Sequence, residues 1–320
     1  MNRLKNNPFF GSVSIVLIIS LSLLSSCIWK ENSVAHPLPY IAPPLLNINP
    51  VEKQQLSNRV ASYFKESLLR YEGIFSGGIL VAKGGHVLFE HYAGFTDYPK
   101  KIQPLQEDSP LHIASTSKTF TAIAILQLVQ QQKISLDDTL ELFFEKWPYP
   151  GVTIKQLLTH RSGLPNYTYF MEADKQGKLA YTNKDIIDWM IQHKPAPHAR
   201  PDSRFEYCNT NYLLLATLIE KTSGYSYPEF LRRSIFTFLG MKNTFVFEPA
   251  DAVKATPSFV NSSQPWPIDH LDLTYGDKNI YSTPRDLLKW DQALYTKQLV
   301  SDSLLELAFT PYSFERPGQN

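Results

Sequence analysis

The apolar positions of this chain change period along its length. Val51, Leu56, Val60, Phe64, Leu68 and Leu69 recur near helical spacing and predict an amphipathic helix over residues 51–71. Gly77-Gly-Ile-Leu-Val-Ala-Lys83 and His86-Val-Leu-Phe-Glu-His-Tyr92 flank Gly84-Gly85 and predict a two-stranded hairpin. From about residue 115 to 310 the pattern is mostly helical, with segments near 117–132, 153–159, 184–193, 210–222, 228–239 and 284–295. Gly224 is placed to close one of these helices, and Pro284 to open another at its first turn. The stretch Thr119–Leu126 is apolar nearly all round, so its helix is predicted to run through the core. The expected fold is α/β (α+β): a hairpin sheet with helices against it, followed by a mostly helical region.

The N-terminus has a different pattern. Arg3 and Lys5 precede an apolar run from Val13 to Leu24, and small residues follow, which describes a secretory signal. The run falls short of the ~20 apolar residues a comfortable membrane span needs. Leu24-Ser-Ser-Cys27 resembles a bacterial lipobox, in which the cysteine is lipidated and becomes the new N-terminus. Residues 1–26 are therefore expected to be a lipoprotein signal peptide and Cys27 the lipidation site. Residues 27–50, with Pro37, Pro39, Pro43, Pro44 and Pro50, are expected to be a stiff tether. The expected location is the cell envelope, as an exported bacterial lipoprotein held to the membrane through Cys27.

Composition narrows the partners. Of the 320 residues, 43% are hydrophobic and 19% charged, which excludes wholesale disorder. The net charge of +1 gives no electrostatic reason to expect nucleic acid. The two cysteines, Cys27 and Cys208, cannot build a disulfide framework or a structural zinc site, and with Cys27 lipidated Cys208 has no partner. His193 and His198 are separated by two prolines and cannot share a helix face, so no metal or other cofactor is expected. A monomer is expected.

No G-x-S-x-G elbow is present, which argues against an α/β-hydrolase nucleophile. Two S-x-x-K tetrads occur, Ser62-Tyr-Phe-Lys65 and Ser115-Thr-Ser-Lys118. Ser62 falls in the middle of the first, surface helix, where a serine and a lysine are merely solvated. Ser115 falls at the start of the core helix, with Lys118 one turn on along the same face, at the bottom of a cleft. The bland reading of Ser115 is a helix cap.

Ile113-Ala-Ser-Thr-Ser-Lys-Thr-Phe-Thr-Ala122 resembles the nucleophile motif of the serine β-lactamase and penicillin-binding protein superfamily, in its class C-like branch. Four further segments resemble the same branch: Leu157–Asn166, Phe205–Leu215, Leu239–Thr244 and Ile280–Trp290. The resemblance runs over about residues 51–310 and implies a β-lactamase/transpeptidase-like fold for residues 51–320, an antiparallel sheet flanked by helices. It implies a Tyr-x-Asn motif as well. Tyr181-Thr-Asn183 and Tyr207-Cys-Asn209 both fit. Thr182 or Asn183 is better explained as the cap of the helix at 184–193, and Tyr207 and Asn209 stand in the matching context before an apolar helix.

The resemblance then implies Ser115 as nucleophile, Lys118 as its base when neutral, Tyr207 as second proton carrier, and Asn209 as substrate-binding residue that also orients Lys118. The Ser115 backbone N–H would give half of an oxyanion hole. Cys208 replaces the commoner serine and should point away. The family's third motif, Lys-Thr-Gly or His-x-Gly on a late strand, is not found, since Lys221-Thr-Ser-Gly224 ends a helix. The last three sheet strands are therefore expected to be missing from this chain. The implied activity is an exported serine hydrolase acting through an acyl-enzyme on β-lactams, D-amino-acid peptides of peptidoglycan origin, or small esters. The alternative is a non-catalytic lipoprotein that binds cell-wall peptides with the remains of the cleft.

Overall fold

A computed structural model describes residues 39–69, 75–98, 100–173, 180–261, 264–266 and 269–313. The expected signal peptide, Cys27 and the first half of the expected tether, up to residue 38, lie outside the described residues. The first helix, α1 (Pro50–Leu69), is followed by the hairpin β1 (Gly77–Lys83) and β2 (His86–Ala93). The pair is antiparallel, with Gly77 opposite Ala93 and a bulge at Val81/Ala82. Gly84 and Gly85 turn it with φ of 57° and 82°, values that suit a tight two-residue turn and that a side chain would strain. The stacked rings of Phe64 on α1 and Phe89 on β2 hold helix to hairpin, 5.1 Å apart.

The helical region consists of α2 (Ser117–Gln130), α3 (Ile154–Leu158), α4 (Tyr167–Ala173), α5 (Asn183–His193), α6 (Asn209–Ser223) and α7 (Tyr227–Leu231). It ends with α8 (Pro284–Ala293) and α9 (Asp302–Phe309). The apolar pattern predicts one helix near 228–239. The structure instead runs α7 into a widened π turn at Arg232–Phe236. As predicted from its all-round apolar pattern, α2 is central: Phe120, Ile125 and Leu128 are fully buried. Phe120 stacks on Trp290 of α8 at 4.2 Å and meets Phe236 edge-on at 5.6 Å. Against α2 packs α6, with Leu213, Leu214, Leu215 and Leu218 fully buried.

Two short strand sets complete the described fold. The strands β3 (Leu111–His112), β4 (Phe245–Val246) and β7 (Ile280–Ser282) form an antiparallel sheet in the order β3-β7-β4, and β5 (Phe259–Asn261) pairs with β6 (Gln264–Pro265). Two- and three-residue strands carry no periodicity, so the sequence pattern did not disclose them. The segments Leu239–Thr244 and Ile280–Trp290 serve this scaffold. Thr283 caps α8, and the buried Asp286 accepts from the Asn243 N–H (2.8 Å) and the Thr244 hydroxyl (3.0 Å).

The hairpin docks on the start of α8. Gly78 lies so close to Pro284 that a Cβ would fall 2.9 Å from its ring, and Arg285 forks onto Glu90 at 2.8 and 3.0 Å. That guanidinium holds the Glu90 carboxyl below the usual carboxylate range. Among the described residues β1 pairs with β2 alone. No helix among them is long and apolar enough to cross a membrane.

Candidate active site

The chain enters the site along β3 and leaves it as α2. The Ile113 N–H donates to Ile280 of β7 at 3.0 Å. Ala114 then takes a left-handed φ of 46°, uncommon for a residue with a side chain and a small store of strain. This bend turns the strand into a single 3₁₀ turn, Ala114–Thr116, ahead of α2. Ser115 lies in that turn rather than in the α-helix proper. The residue is exposed. Ser117 fixes the turn from below, its buried hydroxyl accepting the Ile280 N–H at 3.1 Å.

All four residues expected at the site meet. Lys118 Nζ donates to Ser115 Oγ at 3.1 Å, and the Tyr207 hydroxyl donates to the same oxygen at 2.9 Å. Lys118 Nζ also donates to Asn209 Oδ1 at 2.9 Å and to the backbone oxygen of Asp277 at 2.8 Å. These three acceptors match the three donors of an ammonium. Lys118 is 6% exposed, and the faces of Tyr207 and Tyr212 lie 4.9 and 5.7 Å from its charge. Burial pushes the Tyr212 phenol well above its ordinary value.

The backbone that receives Lys118 is tied down along α2. Thr121, one turn after Lys118, donates to the Gly276 oxygen at 2.7 Å, so consecutive carbonyls of Gly276 and Asp277 hang on one helix face. The Asp277 side chain is buried and accepts from the Tyr167 hydroxyl at 2.9 Å. Burial pushes this carboxyl up, against the pull of the Lys118 and Lys278 cations.

The rival motifs lie elsewhere. Ser62 and Lys65 are exposed on α1. Tyr181 is buried, and Thr182 caps α5 through a capping box with Asp185. Asn183 is no cap: its amide bridges the Leu213 and Tyr275 oxygens at 3.2 and 3.0 Å. Gly224 closes α6 in the left-handed conformation, which disposes of Lys221–Gly224 as a third motif. The Cys208 thiol turns from the site onto the Leu164 oxygen, 3.4 Å away, and burial pushes it up from its ordinary pKa.

Sequence reasoning missed His160, Tyr212 and the Asp277 carbonyl. His160 is 8% exposed, and its ring lies against that of Tyr207 with centroids 4.5 Å apart. Burial, helped by the Lys118 cation, pushes the imidazole down to about 4. His160 lies inside Leu157–Asn166, a segment the resemblance singled out, yet no spacing rule linked it to Tyr207, 47 positions on. A backbone carbonyl such as that of Asp277 leaves no side-chain signature at all.

Chemically, the Ser115 hydroxyl sits between two groups able to exchange protons with it, on a turn whose first N–H groups point away from the helix.

Comparison with known proteins places this geometry in a family. The Beta-lactamase family profile matches residues 64–319. Penicillin-binding protein 4* of Bacillus subtilis (strain 168) is 32% identical over 255 residues, covering 74% of this chain and 56% of that protein. The D-aminopeptidase of Brucella anthropi is 28% identical over 230 residues, covering 68% of this chain and 42% of that one. The chain thus spans about half the length of these relatives. Among solved structures, the penicillin binding protein from Bacillus halodurans superposes with a TM-score of 0.67 at 28% identity, covering 77% of each chain. The D-amino acid amidase from Ochrobactrum anthropi SV3 gives 0.63 at 25% identity, over 78% of this chain and 73% of that one. With its antiparallel strands, its helical region and a serine–lysine pair at the start of the core helix, the chain belongs to the beta-lactamase family of serine hydrolases.

Proposed function

We propose that this protein hydrolyses amide bonds of D-amino-acid peptides or β-lactams through an acyl-enzyme on Ser115. The observation that carries this reading is the double approach to one serine oxygen, with Lys118 Nζ at 3.1 Å and the Tyr207 hydroxyl at 2.9 Å from Ser115 Oγ. The hydroxyl oxygen attacks the substrate carbonyl carbon while its proton passes to Lys118, which accepts it in its neutral form. The resulting oxyanion faces the Ser115 N–H at the head of the turn. The C–N bond then breaks, and the leaving nitrogen takes its proton from Tyr207. A water molecule releases the acid and restores the serine. Asn209 spends its oxygen on Lys118, which leaves its amide N–H groups for a substrate carbonyl. The similarity to a D-aminopeptidase and a D-amino acid amidase supports D-configured substrates, and the penicillin-binding relatives support β-lactams.

The test is to incubate the protein with a fluorescent penicillin and with a fluorophosphonate, digest it and map the adduct. An adduct on the peptide holding Ser115 is expected. No adduct with either reagent, or one on another serine such as Ser62, defeats the proposal and leaves the alternative of non-catalytic cell-wall peptide binding.

The lipobox-like Leu24-Ser-Ser-Cys27 supports a lipid anchor on an exported protein, which would hold the site at the cell envelope where such peptides occur. Expression in bacteria fed radiolabelled palmitate should give a labelled band that Cys27→Ala removes. A band that stays labelled in that variant speaks against the anchor.

A further inference from the structure

We infer that His160 is the positioning residue for Tyr207: its backbone oxygen and its Nδ1 hold the peptide on either side of the tyrosine, and so set the phenol on Ser115.

The clamp has two backbone anchors. The His160 oxygen accepts the Glu206 N–H at 2.8 Å, and the ring Nδ1 accepts the Cys208 N–H at 3.1 Å. Tyr207 is therefore held at the residue before it and the residue after it. The ring itself lies 4.5 Å from the Tyr207 ring at 32°, with Tyr212 at 5.1 Å and Phe205 edge-on at 5.9 Å. From these two anchors the Tyr207 hydroxyl reaches Ser115 Oγ at 2.9 Å.

A hydrogen-bond chain fixes which nitrogen of His160 carries the proton. The Leu164 N–H donates to Ser162 Oγ at 3.2 Å, so the Ser162 hydroxyl is free to donate onward to Asn211 Oδ1, 2.6 Å away. The Asn211 oxygen is thus an acceptor, and its Nδ2 must be the donor in the 3.3 Å contact with His160 Nδ1. That nitrogen accepts twice and bears no proton. The arrangement therefore requires a neutral imidazole with its hydrogen on Nε2. Lys118, whose cation lies over the neighbouring tyrosine rings, also opposes protonation. His160 reaches this position only through a left-handed φ of 54°, which the two flanking hydrogen bonds hold in place.

The inference rests on the reaction proposed above for its kinetic arm only. His160→Phe keeps a ring and removes the acceptor. His160→Asn keeps an acceptor near the Nδ1 position and removes the ring. The rate constant for acylation of Ser115 by a chromogenic cephalosporin is expected to fall about 100-fold in His160→Phe, the cost of a misplacement near 1 Å. His160→Asn is expected to recover all but a few-fold of it, with the initial non-covalent affinity unchanged in both. Because His160 acts through Tyr207, adding His160→Phe to Tyr207→Phe should cause no further loss. Acylation at the unsubstituted rate in His160→Phe, losses that multiply in the double variant, or no recovery in His160→Asn each overturns the assignment. If His160→Phe does not fold, His160→Gln, whose amide is displaced by a methylene, takes its place.

If the unsubstituted protein takes no label, the proposed reaction fails, and the fluorine spectrum of 3-fluorotyrosine at position 207 decides for His160. One narrow line that doubles or broadens in His160→Phe, but stays single in His160→Asn, upholds the clamp. The same narrow line in all three proteins refutes it.

Discussion

Lys118→Ala is expected to slow acylation of Ser115 by at least about 10³-fold, the scale of a lost proton acceptor in the transition state. The side chain is the hub of the site: Ser115, Asn209 and the Asp277 carbonyl all meet at its nitrogen within 3.1 Å. Removing it takes the base from the nucleophile and releases Asn209 from its fixed orientation. Lys118→Arg should not restore the rate, since a guanidinium keeps its proton throughout the working range. Stability should move the other way, or hardly at all. Lys118 is 6% exposed and its three acceptors are all uncharged, so the fold gains little from burying a cation there. The pairing of a large kinetic loss with an unchanged melting temperature marks a residue kept for chemistry. Pre-steady-state labelling with a chromogenic cephalosporin reads the rate, with Ser115→Ala as the variant that forms no adduct. A Lys118→Ala protein that acylates within tenfold of the original rate would remove lysine from the mechanism.

The parts of this site legible in the sequence were those with a local geometric rule. A serine and a lysine three apart at a helix start must share a face, and in the structure their polar atoms lie 3.1 Å apart. A cap at Thr182 or Asn183 was legible from their place just before a helical pattern, and the structure gives the role to Thr182, in a capping box with Asp185. Choosing Tyr207 and Asn209 over Tyr181 and Asn183 needed more than spacing, because both tripeptides precede helices. The apolar run of α6, fully buried at Leu213–Leu215, made the difference. What stayed hidden depends on tertiary contact. The β3-β7 pairing joins segments about 170 residues apart, and all three strands of that sheet are too short to show a period. The place of His160 against Tyr207 depends on α3 and α6 packing together, which no window of sequence contains. The exposure of Ser115 likewise depends on what covers the turn, not on the turn itself.

Gly276→Ala should damage stability and chemistry together. Gly276 has φ of 100°, which a side chain rarely adopts, and a Cβ there would fall 2.3 Å from the Tyr212 oxygen and 2.6 Å from the Ala216 Cβ. Both obstacles belong to α6, the helix packed against α2, so neither can yield without moving the core. Backbone strain and overpacking together should cost about 3–5 kcal/mol. The segment must lift from α6, and with it go the Gly276 carbonyl held by Thr121 and the Asp277 carbonyl held by Lys118. Lys118 then loses one of its three acceptors, and acylation measured on the folded fraction should fall more than tenfold. Gly224→Ala separates strain from contact. Its φ is 78°, yet nothing lies within 4 Å of the added Cβ. That substitution should cost only about 1 kcal/mol, as a left-handed helix end does, and should leave acylation as it was. Denaturant melts paired with acylation rates decide the matter. If both alanines cost the same and neither alters acylation, the Gly276 carbonyl segment is not what holds Lys118 to the nucleophile.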